Sequence, residues 1–177
     1  MALKSTAVRY GTWAVATHWL AAVLILGLLA SGFVAARTED LAVKAAILRL
    51  HVPVALLVLA LTLLRLAWWW RVDAKPKPLE DAPHWQALSA DVVHWFLYIV
   101  TLAMIVSGLA MMALSGAVPI LFGGDSADLP DFYDYTPRVG HAIGFWVLTG
   151  LLALHAAAAL HHHFVRRDET MRRMWFG

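Results

Sequence analysis

"PRVGHAIGFWVLTGLLALHAAAALHHHFV", residues Pro137 to Val165, is long and apolar, and it carries His141 and His155 well inside the run. Crossing the hydrocarbon of a bilayer takes about 20 predominantly apolar residues in a helix. This stretch exceeds that length, so it reads as a membrane span. An ionisable side chain within a span is costly enough to ask for a functional account. Three further stretches meet the same criterion, roughly Trp13 to Ala36, Ala45 to Trp70 and Asp91 to Leu114. The pattern predicts an all-α fold, an integral membrane four-helix bundle forming a single domain over residues 1–177.

Composition agrees with that reading. Of the 177 residues, 61% are hydrophobic and 15% charged, proportions that exclude an ordinary water-soluble domain. The chain has no cysteine, which removes disulfides, iron-sulfur clusters, thiolate zinc sites and covalently attached c-type haem. Any metal must therefore be held by nitrogen or oxygen. The net charge is only +2, and the basic residues gather at the ends of apolar runs, so they act as topology signals and not as a nucleic-acid surface. Lys4, Arg9, the basic residues of Arg71–Lys77 and those of Arg166–Arg173 fall on one side. Arg37, Lys44, Arg49 and Arg138 fall on the other. The positive-inside rule then places both termini in the cytoplasm. The first span has a plausible cleavage site near Val34 to Ala36, but its apolar run is longer than that of a signal peptide, so it is expected to be retained.

The connections differ in character. "RVDAKPKPLEDAPHW" (Arg71–Trp85) reads as extended, whereas "SGAVPILFGGDSADLPDFYDYTP" (Ser115–Pro137) reads as a structured loop. Trp68, Trp69 and Trp70 suit an interfacial aromatic belt. No internal repeat is evident.

Depth pairs the histidines. His18, early in the first span, and His155, late in the fourth, share the inner half of the membrane; His51 and His141 share the outer half. His141 and His155 are 14 residues apart on one helix, which puts them within about 40° of one face and ~21 Å apart along the axis. Two stacked sites result, each offered two imidazoles, which is what bis-histidine ligation of a haem iron needs in a bundle. Zinc would usually take more ligands. A porphyrin also favours small residues around it. Gly32 lies 14 residues after His18, and Gly108 14 after His94.

The blocks "RYGTWAVATHWL" (Arg9–Leu20), "LHVPVALLVLALTLLRL" (Leu50–Leu66), "HWFLYIVTLAMIVSGLAMM" (His94–Met112) and "GHAIGFWVLTGLLALHAAAALHHHFVRRDETMRRM" (Gly140–Met174) resemble the bacterial cytochrome b561 family of four-helix dihaem b proteins of the inner membrane. The resemblance implies two haem b groups, with His18 and His155 on the inner iron and His51 and His141 on the outer. It also implies a superoxide:ubiquinone oxidoreductase, a superoxide oxidase releasing molecular oxygen, in a bacterial inner membrane. Pro53, two residues past His51, departs from the pattern and is expected to bend the helix there. His161 is expected at the surface, and His162 and His163 at the cytoplasmic exit, in capping or propionate-contacting roles.

Under that reading, cations near the outer site raise the encounter rate with the superoxide anion. Lys44 and Arg138 lie seven and three residues before His51 and His141, near their faces, whereas Arg49 points away. The aspartates of the long loop oppose the attraction unless the loop faces away. His94 and Tyr98, four apart on one face, are candidates for a quinone site. Arg65, 14 residues after His51, is a candidate for a haem propionate. Two other functions fit the same pattern: a cytochrome b subunit carrying electrons between quinone and a docked redox protein partner, and a haem-free transporter or structural bundle.

Overall fold

The computed structural model describes residues 2–79 and 83–175. Four helices are long and apolar enough to cross a membrane. They are α1 (Thr12–Arg37), α2 (Leu41–Arg71), α3 (His84–Ser115) and α5 (Pro137–His161), and a π-helical turn, His162–Arg166, extends the last. A short α4 (Ala117–Gly123) and two 3-10 turns, Ser126–Asp128 and Phe132–Asp134, fill the long loop. Among the described residues there is no strand. The protein is an all-α membrane bundle.

Two helices start earlier than their apolar runs. The Asp40 carboxylate accepts from the amides of Ala42 and Val43, at 2.8 and 3.1 Å, and this N-cap begins α2 at Leu41 instead of Ala45. The Pro83 carbonyl accepts from Gln86 N and starts α3 at His84, ahead of Asp91. Hydropathy locates the greasy part of a helix, but caps locate its ends. α2 runs through Pro53 without interruption. Gly116, with φ +66°, supplies the left-handed turn between α3 and α4.

Large apolar residues in the spans face outward, as with Val23 at 65% and Val106 at 64% exposure, while Ala14, Thr17, Ala35, Ala45, Thr62 and Thr101 are buried. That inversion suits a lipid solvent, where small and hydroxyl residues bring helices together.

The chain divides into two compact units. The terminal unit comprises Met1–Ala22, Leu61–Tyr98 and Gly150–Gly177; the loop unit comprises Val23–Ala60 and Ile99–Thr149. In the terminal unit the described part of the expected extended connection is tied down on both sides. Lys77 N donates to Ala7 O (3.0 Å) and Tyr10 N to Arg173 O (3.3 Å), while Arg173 Nη1 donates to Lys77 O (2.7 Å). The Asp73 carboxylate accepts from Ser5 N, Ser5 Oγ and Trp68 Nε1. Partial burial pushes its pKa up, but these donors outweigh that and hold it below the usual carboxylate value. In the loop unit, Ala45, Met111, Met112, Ala117, Leu121 and Leu129 form one buried cluster, on which Leu48 and Phe132 pack. The long loop is structured, as expected, because α4 and Leu129 complete that cluster.

Candidate functional site

Within the terminal unit, α1 carries His18 and α5 carries His155, and their ring centroids are 6.1 Å apart with planes at 62°. Two imidazoles that shared one metal ion at about 2 Å each, with each ring centroid about 1.1 Å behind its donor nitrogen, would have centroids up to roughly 6.2 Å apart. The observed separation therefore suits one iron between them. A third imidazole stands beside this pair, since the His94 ring on α3 lies 5.3 Å from that of His155. Tyr98 shares the α3 face of His94 but meets Trp95 edge-on at 6.2 Å. Arg65 on α2 donates through Nη1 to Ala14 O (3.0 Å) and Thr17 Oγ1 (2.8 Å), both on α1. The neighbouring indole N–H of Trp13 is buried with no partner among the described residues.

Within the loop unit, a cavity of about 510 Å³ is lined by His51, His141, Gly32 and Gly108. Lys44, Arg138 and Arg37 line it too, and so do Asp131 and Tyr133 from the long loop. Lys44 and Arg138, the cations selected in the sequence, thus share one cavity with His51 and His141. Arg49 does turn away, its Nε donating to Leu121 O at 2.5 Å. Arg37, which the spacing argument passed over, stacks its guanidinium 3.6 Å from the Phe33 ring centroid. Arg138 is steadied by Tyr133, whose hydroxyl accepts from Nη2 at 3.2 Å. Of the four loop aspartates only Asp131 lines the cavity, and its carboxylate accepts from Tyr133 N in a local cap.

The two glycines have a sharper role than general clearance for a bulky ring. A Cβ on Gly32 would lie 3.2 Å from His51 Cε1, and one on Gly108 would lie 3.3 Å from His141 Cε1. Each glycine, having no Cβ, leaves room for one imidazole edge. Beside each stands a serine that sequence reasoning missed. Ser31 Oγ is 3.0 Å from His51 Nδ1, and Ser107 Oγ is 2.9 Å from His141 Nδ1. The signal that could have found them is a repeat: "HW", eleven residues, then "SG", once from His18 to Gly32 and again from His94 to Gly108. The expectation of no internal repeat is corrected at this point. Its second half continues into α2 and α5, where Val58 and Leu148, each seven residues past His51 or His141, are both buried.

The donor sets fit haem b. Among the described residues no group of three or more His, Cys, Asp and Glu side chains forms a bare-metal cage. Imidazole pairs on an iron leave the equatorial positions to a macrocycle. The loop-unit cavity has the volume of a cofactor pocket and apolar walls, with cations among its lining residues.

At the chain's end, His162 lies in the π turn, with Nδ1 against the Asp168 carboxylate and Nε2 2.6 Å from Gln86 Nε2. His161 is exposed, as expected.

Comparison with known proteins points the same way. The family described as prokaryotic cytochrome b561 matches residues 9–177. Cytochrome b561 homolog 2 of Escherichia coli K12 is 29% identical over 98% of this chain and 95% of its own length. Cytochrome b561 homolog 1 of the same organism is 33% identical over 56% of this chain and 58% of its own length. The probable superoxide oxidase CybB of Yersinia pestis is 28% identical over 94% of this chain and 95% of its own length.

Proposed function

The chain belongs to the prokaryotic cytochrome b561 family, and from that premise we propose that it is a dihaem superoxide:ubiquinone oxidoreductase. Membership makes it a bacterial membrane electron-transfer protein of the haem b type. The finer reading assigns one haem to His18 and His155 and the other to His51 and His141. It sets the termini in the cytoplasm and the loop side in the periplasm. In the net conversion two superoxide anions each give up one electron and leave as O2, and ubiquinone takes both electrons with two protons.

Each haem, when bound, supplies a one-electron iron couple. The chain's own residues do the rest. His18 with His155 and His51 with His141 would hold the haems, and two imidazoles on one iron would leave small oxidants and reductants to exchange electrons at the edge of the site. Lys44, Arg138 and Arg37 draw an anion toward the loop-unit cavity. Tyr133 holds the Arg138 guanidinium in place for that task. For the other site the reading assigns His94 and Tyr98 to donate hydrogen bonds or protons to a quinone carbonyl, and Arg65 with the Trp13 indole to hold a propionate.

One observation carries the reading: three cations share a single cavity with an imidazole pair. The relative described as a probable superoxide oxidase supports the choice of donor. Superoxide generated in a pulse beside the purified protein and a ubiquinone analogue should be consumed with matching quinol formation. A protein that shows b-type bands but stays slow until a redox protein is added would instead be a cytochrome subunit. In a reduced-minus-oxidised spectrum, His51→Ala or His141→Ala should halve the b-type absorbance. Full absorbance in both variants would refute the pairing.

A further inference from the structure

Each hydroxyl beside the loop-unit histidines makes two contacts, and together they set the direction of a hydrogen-bond chain. Ser31 Oγ lies 3.2 Å from Leu28 O, and Ser107 Oγ lies 2.9 Å from Met104 O, three residues back along α1 and α3. A serine has one proton to give. Given to the backbone carbonyl, it leaves the oxygen only as an acceptor toward the imidazole. The Nδ1 atoms at 3.0 and 2.9 Å must then carry the ring protons. Nε2 is left with its lone pair free, the state in which an imidazole binds a metal. Gly32 and Gly108 lie beside the Cε1 edges of the two rings, where a Cβ would come within 3.2 and 3.3 Å.

The device occurs twice, through the repeated "HW…SG" segments, on both histidines of one site. Among the described residues the other site has no counterpart. The ring centroids of His18 and His94 lie 6.1 and 5.3 Å from that of His155, and among the described residues no serine hydroxyl bonds any of the three.

We propose that Ser31 and Ser107 are positioning residues that fix the tautomer and raise the basicity of His51 and His141, and so lower the reduction potential of the haem between them. This rests on the reading of His51 and His141 as axial ligands. A stronger Nδ1–H···O bond gives the imidazole more anionic character, which favours the ferric over the ferrous iron. The other haem lacks that influence, so the serines tune one couple of the two.

The test is spectroelectrochemical titration of the holoprotein carrying Ser31→Val, Ser107→Val or both, against Ser31→Thr and Ser107→Thr. Threonine keeps a hydroxyl that can bond the same carbonyl, whereas valine has its shape without the hydroxyl. With valine, the midpoint potential of one haem should rise, further in the double variant, with the other haem unmoved; threonine should restore the wild-type value. Loss of the haem with valine and retention with threonine would support the proposal equally. Equal potentials in the valine and threonine proteins would overturn it, and so would loss of the haem from both. Failure of the underlying reading looks different: the wild-type protein would show one haem or none, or would keep both after His51→Ala and His141→Ala.

Discussion

An arginine inside a membrane span must find acceptors in the protein or reach the interface, and Arg65 finds two on α1, Ala14 O and Thr17 Oγ1. Its helix position made it a propionate candidate, yet the spacing said nothing of these acceptors, which belong to a different helix. Charged hydrogen bonds of this kind contribute about 1.5–3 kcal/mol. Arg65→Met should therefore lower the unfolding midpoint in detergent by several degrees, and Thr17→Val by less, since the Ala14 carbonyl remains. Asp73 offers a test by pH. Its pKa is lowered from 3.8 in the fold, so its contribution is complete above about pH 4 and fades as pH falls through the depressed value. The protection factors of the Ser5 and Gly11 amides, taken against the intrinsic exchange rate at each pH, should fall on acidification below that point, and Ser5→Ala, which removes a donor, should narrow the pH difference.

At the level of the helix, the four spans could be read from length and hydropathy, because lipid imposes a simple rule on composition, and depth along the spans singled out the histidines that the fold gathers within each unit. The ends of α2 and α3 could not, because they depend on Asp40 and Pro83, outside the apolar runs. The Ser–Gly pairs were legible only as a repeat, since a lone serine or glycine in a membrane helix says little. The close approach at Gly32 and Gly108 makes a clear prediction. A methyl at either position must push a pinned imidazole by a few tenths of an ångström. On the dihaem reading, Gly32→Ala and Gly108→Ala should disturb the spectrum of one haem and leave the other intact, while Gly27→Ala, which meets nothing within 4 Å, should be silent. Gly116→Ala, forced to φ +66°, should cost about 1–2 kcal/mol in stability without touching either spectrum.

For the whole molecule, the distribution of charge decides how a small anion is met. The net charge of +2 is too slight to steer by itself, so under the proposed function steering falls to Lys44, Arg138 and Arg37, which line one cavity. Lys44→Gln with Arg138→Gln should slow superoxide consumption on the order of tenfold at low salt, and the gap should shrink as ionic strength rises. Equal salt dependence in wild type and variant would count against this role. The same residue ranges carry a consequence for biogenesis. Every segment of the loop unit precedes Gly150, whereas the terminal unit waits for the last stretch of chain, whose Met174 carbonyl and Trp175 ring clasp Trp19. On the reading of two haem sites, every loop-unit residue is synthesised before the last segment of the terminal unit, so the site of His18 and His155 is the later of the two to have its full set of side chains.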